Sequence, residues 1–96
     1  MEKIMTKLKK VTNDLIQKEF EIYQKSWDLI KEYYYVQDIT DEKEQEVIWN
    51  MIHEKAKVIY YIQGDEATSR LAQNISLSIL DYLADKCKLK ERGVLE

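Results

Sequence analysis

Two ionisable residues stand where the surrounding sequence is apolar. Glu19 and Lys55 each fall near the centre of a wide arc of apolar residues at helical spacing. A charge removed from water needs a partner, so a buried ion pair between the two is expected. A desolvated lysine can also act as a base or a Schiff-base nucleophile once its pKa falls. One lysine without a phosphate-binding loop or a second acid-base group defines no reaction, and the structural pair is preferred. His53 is the only histidine, and His53-Glu54 lacks the histidine four residues on that would set two zinc ligands on one helix face. The Glu-x-x-His pairs of di-iron bundles are absent from the sequence. Cys87 has no second cysteine to pair with and lies on the apolar side of its helix, where it is expected as a small buried hydrophobe. No metal, no cofactor and no enzymatic activity are expected.

The charged clusters are read as helix ends. Asp38, Asp41, Glu42, Glu44 and Glu46 gather where a helix N-terminus attracts negative charge. Asp41-x-x-Glu44 has the spacing by which all-helical nucleotide pyrophosphatases hold magnesium, but the second carboxylate pair such a site needs is missing from the third helix. Lys86, Lys88, Lys90 and Arg92 are expected at the same end of the molecule as this acidic segment, which would neutralise them. Lys3, Lys7, Lys9 and Lys10 lie at the other end with less compensation, and form the one patch that could contact phosphates. No basic and aromatic recognition helix accompanies them.

Aromatic residues give a better indication of function. Trp49, His53 and Tyr60 follow one flank of the second helix, on the border between its apolar and polar faces. Rings in that position supply contact area at low entropic cost and recur at protein interfaces. In Tyr33-Tyr34-Tyr35 the side chains fan out by about 100° each, so two can be core while Tyr35 is expected in solvent as a further contact residue.

These residues need elements to position them, and all point to helices. The chain has no proline, and its two glycines are Gly64 and Gly93. Helices are expected over about 2–37, 41–63 and 66–91, with Asp38 or Thr40 and then Asp65 as N-caps and with Gly64 and Gly93 at C-terminal positions needing positive φ. In the first helix Ile16, Phe20, Tyr23, Trp27, Ile30 and Tyr34 form a bundle seam, with steps of three and four. A second row, Ile4, Leu8, Val11, Leu15, Ile22, Leu29, Tyr33 and Val36, runs beside it, and a thin polar line of Thr12, Glu19 and Ser26 separates them. The third helix shows only a narrow polar strip, Asn74, Asp81, Asp85 and Lys88, and is expected to be the most buried. At ~1.5 Å per residue the first helix would be roughly 50 Å long and would overhang the others by ~15 Å.

The fold expected is therefore all-α, a single domain over residues 1–96 arranged as an antiparallel three-helix bundle with a long first helix. Because one such bundle cannot cover three wide apolar arcs, a homodimer with the first and third helices at its interface is expected. A formal charge of −3 and 45% hydrophobic residues suit a folded protein rather than a dedicated nucleic-acid binder or a disordered chain. No uninterrupted apolar run reaches membrane-spanning length, and a cytoplasmic location is expected. The function expected is a non-enzymatic protein-protein interaction module, a small dimeric adaptor, inhibitor or accessory subunit of the kind viruses and plasmids often carry. A nucleic-acid-associated regulator using the basic N-terminal helix end is the alternative.

Overall fold

In the computed structural model of the chain, residues 8–93 are described. Three helices pack against one another, α1 (Gln17–Glu32), α2 (Glu42–Tyr60) and α3 (Glu66–Glu91). A 3-10 turn, Asn13–Ile16, leads into α1, and another, Val36–Asp38, follows it.

The expected long first helix is not formed. Its described start, residues 8–12, carries no regular structure, because Val11-Thr12-Asn13-Asp14 is a run of weak helix formers and Thr12 sits in extended backbone without a side-chain cap. Its end comes at Glu32, where Tyr33 closes the last turn onto the Leu29 carbonyl at 3.2 Å. The chain then turns tightly through Tyr33–Tyr35, with the Val36 N–H reaching the Tyr33 carbonyl at 3.0 Å, and Val36 and Gln37 become buried. At ~1.5 Å per residue α1 is only about 24 Å long, so the longest helix is α3, at about 39 Å. The overhang inferred for the first helix disappears. Ile4, Val94 and Leu95 lie outside the described residues.

The caps explain the two breaks. Asp41, rather than Asp38 or Thr40, starts α2, its carboxylate accepting the Glu44 N–H at 3.0 Å. Asp65 starts α3 as expected, accepting the Thr68 N–H at 2.8 Å. That bond to the Thr68 amide holds the Asp65 carboxyl below its usual range, a contribution to stability present above the unfolded value and lost as pH falls through the folded one. Gly93 has the expected positive φ, +73°, at the end of α3. Gly64 does not, since α2 has already ended at Tyr60. Its smallness is needed instead for close approach, because a Cβ there would stand 2.9 Å from both Cβ and Cγ2 of Thr68.

The core is one thin layer. Ile22, Leu29, Tyr33 and Val36 meet Ile52, Ala56, Ile59 and Ile62 of the second helical segment and Ala72, Ile79 and Leu83 of the third. Ser26 and Ser76 are buried among them, each hydroxyl donating to a carbonyl of its own helix, Ile22 at 2.6 Å and Gln73 at 2.9 Å. Small side chains at buried positions require the helices to lie close together. Along α1 the polar line therefore faces inwards: Ser26 is core, and the half-buried Glu19 accepts a hydrogen bond from Thr68 Oγ1 at 3.1 Å. The row expected as the bundle seam lies outside, with Phe20 56%, Tyr23 57% and Trp27 60% exposed while Ile22 is fully buried. In α2, Val47, Met51 and Val58 are likewise exposed. The third helix buries residues along its whole length and shows Asn74, Asp81, Asp85 and Lys88 to solvent, as expected.

Thr68 thus binds the start of α1 to the cap of α3 with no space beside it. Gly64→Ala is expected to displace it and to cost about 1–3 kcal/mol, read as a lowered urea midpoint at unchanged m-value.

Candidate interaction faces

Two faces carry exposed rings. On the first, α1 presents Phe20, Tyr23, Trp27 and Ile30 in steps of three and four, the turn after it adds Tyr34, and Ile30 alone packs partly onto the core. Trp27, Ile30, Lys31, Tyr34 and Tyr35 meet Tyr82 of α3 around an open recess of about 510 Å³. Tyr34 and Tyr35 stand edge to face, with centroids 5.1 Å apart.

Beneath this recess Lys86 is held in an unusual setting. It is 7% exposed, its ammonium donates to the Tyr34 carbonyl oxygen, and its Nζ lies 3.5 Å from the centroid of the Tyr34 ring and 5.5 Å from that of Tyr82. Burial pushes the Lys86 ammonium below the ordinary lysine value, against the pull of the Asp38 carboxylate. A cation over a ring face is attracted by the ring quadrupole, and the aliphatic stem fills core space. Lys86 therefore fixes the backbone and ring of Tyr34 in the face. Lys86 was expected with Lys88, Lys90 and Arg92 as a base neutralised by the acidic segment from Asp38 to Glu46. Its position tells otherwise, because Ala72, Ser76, Ile79, Leu83 and Lys86 follow one another by steps of four and three along the buried line of α3.

The second face is the expected α2 flank. Trp49 and Tyr60 are half-buried and His53 is exposed, with the Trp49 and His53 rings 6.0 Å apart. His53 Nδ1 lies 2.7 Å from the Trp49 carbonyl oxygen. Trp49 and His53 line a recess with Leu77, Leu80, Asp81 and Ala84, and His53 and Tyr60 line a second with Ala56, Ser76 and Leu77. The two recesses share His53, Leu77 and Leu80, and make one groove between α2 and α3. Tyr35, expected in solvent, is 68% exposed but lines the recess of the first face rather than the α2 flank.

The expected Glu19–Lys55 pair is not formed. Lys55 is nearly half exposed and pairs with Glu32, which raises its pKa through that hydrogen bond, while its Nζ lies 5.4 Å from the Tyr33 ring centroid. Glu19 is held by Thr68 at the other end of α1. The end-to-end neutralisation does occur in one contact, Lys90 to Asp38 at 3.8 Å. Lys9 and Lys10 are exposed and outside any helix, and Lys3 and Lys7 lie outside the described residues. Cys87 is partly buried, and burial pushes its thiol pKa up. Among the described residues no three His, Cys, Asp or Glu side chains are placed to hold a metal ion, and no helix is long and apolar enough to cross a membrane.

Comparison with known protein families, with curated proteins and with solved structures gave no match. The faces themselves carry what can be said of function.

If Lys86 anchors Tyr34 mainly by its stem, Lys86→Met should stay within about 1 kcal/mol of the unmodified protein, whereas Lys86→Ala should lose about 2–3 kcal/mol in urea unfolding.

Proposed function

We propose that this chain is a non-enzymatic helical protein-protein interaction module, an up-down-up bundle whose working form is a homodimer. The observation that carries this reading is the row of rings on α1 that its own bundle leaves uncovered. Contiguous apolar surface beside charged residues such as Lys31 and Asp28 is characteristic of interaction sites in folded proteins. Rings on a helix are also efficient contact groups, since few torsions are frozen when they are buried.

The ionisable groups in unusual surroundings support binding over catalysis. Lys86 is engaged by the Tyr34 carbonyl and ring, and Lys55 by Glu32, so each already serves the bundle. The up-down-up course is supported by contacts along the helices. Glu19 meets Thr68 and Tyr34 meets Lys86, so α1 and α3 run alongside in the same sense. Recesses pairing Trp49 with Ala84 and Tyr60 with Ser76 set α2 in the opposite sense to α3.

Light scattering across a dilution series of purified protein tests the homodimer. A mass twice the 11.5 kDa of one chain, stable to low micromolar concentration, is expected. A mass of one chain throughout that range overturns it.

A further inference from the structure

We infer that the occupant of the α1 face is a second copy of this chain, its α1 lying antiparallel to the first across a two-fold axis beside Trp27. Resting on the homodimeric reading above, this adds the face, the direction and the register.

Spacing supports it first. Phe20, Tyr23, Trp27, Ile30 and Tyr34 follow one another by 3, 4, 3 and 4 residues. Two like helices pack such a seam as knobs into holes, inclined by about 20°. The row is also nearly symmetric about Trp27, with Phe20 and Tyr34 seven residues to either side. In an antiparallel pair Tyr23 meets Ile30 of the second copy, the two Trp27 rings share the centre, and Phe20 comes to the end of the partner α1 where the turn carries Tyr34. The same patch then serves both copies, as a two-fold contact requires.

Area supports it next. Phe20, Tyr23, Trp27, Tyr34, Tyr35 and Tyr82 are between 42% and 68% exposed. With ~150–250 Å² per ring side chain, half exposure leaves roughly 600 Å² of ring surface on one copy. That is the upper end of the ~300–600 Å² of a monomer's largest apolar patch. It approaches the ~800 Å² that each partner contributes to a stable interface.

The two flanks of the seam decide direction. On one side lies α3, where Leu71, Ile75 and Tyr82 share a side by their steps of four and seven. On the other side stand the exposed Gln24 and Lys31. An antiparallel two-fold sets like flank against like flank. Both α3 helices then come to the same side and extend the apolar contact, while Gln24 faces Lys31 of the second copy, an amide oxygen opposite an ammonium. A parallel two-fold would instead press the exposed Lys31–Asp28 pair against the apolar α3 flank of the other copy and desolvate it with no polar group opposite. The antiparallel arrangement leaves the Trp49 and His53 groove uncovered on the other side of α3.

The test uses short bismaleimide cross-linking in a Cys87→Ser background. Gln24→Cys, Lys31→Cys and the double variant alter the rim of the seam, where side chains add little to association beside the central rings, and all three should keep the mass of two chains. The double variant alone should yield covalent dimer, joined between positions 24 and 31. Trp27→Ala should weaken association by about 30-fold or more, as loss of a central ring does. A two-chain mass with no cross-link in the double variant, with a cross-link in either single variant, or with Trp27→Ala as tight as the unmodified protein overturns this interface and leaves the homodimer standing. A one-chain mass of the unmodified protein overturns both.

Discussion

A bundle of three helices from one short chain can enclose only one narrow layer of side chains, and α1 brings two apolar rows to it. Only one row can be covered. The row that enters is Ile22, Ser26, Leu29 and Tyr33, and it meets Ala56, Ala72 and Ser76 from the other helices. Small residues at the crossing points let the helices approach, and interiors pack without voids, so this choice reinforces itself. Phe20 and Trp27 in the same place would force the helices apart and strand the alanines and serines around empty space. Everything outside the core follows from that exclusion, above all the aromatic face of α1.

Polar contacts fasten this thin core at its two ends. At one end Glu19, Thr68 and Asp65 join the start of α1 to the start of α3, with Gly64 leaving room for them. At the other, Lys86 and Lys90 of α3 hold Tyr34 and Asp38 in the turns after α1. These contacts differ in weight. The exposed pairs Lys31–Asp28, Lys57–Glu54 and Arg70–Glu66 lie within single helices and contribute little. Lys86 matters more, because its stem is packed and its ammonium is engaged by the Tyr34 carbonyl and ring. One consequence reaches the surface: the Tyr34 ring in the aromatic face is held from below by a core lysine, so that the face is presented by a rigid support.

The two faces stand on either side of α3, which contributes Tyr82 to one and Leu77, Leu80 and Ala84 to the other. A single helix thus lies between a surface of uncovered rings and a groove edged by Trp49 and His53.

Much of the fold was legible in the residues themselves. The absence of proline, the helical spacing and the caps at Asp65 and Gly93 determined three helices and their approximate junctions, because these signals act through local backbone chemistry. The exposure of Tyr35 and the solvent strip of α3 followed from periodicity alone. What the sequence could not decide was which apolar arc faces inwards, since periodicity reports that a row is apolar and not what it meets. Nor could it show that Lys55 would find Glu32 while Glu19 found Thr68, for pairing between helices depends on their relative register. Lys86 differs from expectation for a related reason: its charge suggested a carboxylate partner in the acidic segment, while its position on the buried line of α3 gave it a ring and a carbonyl. The junctions between helices were determined locally along the chain, whereas the extent of the first helix and the inside and the outside of the bundle were decided only when three helices competed for one narrow core.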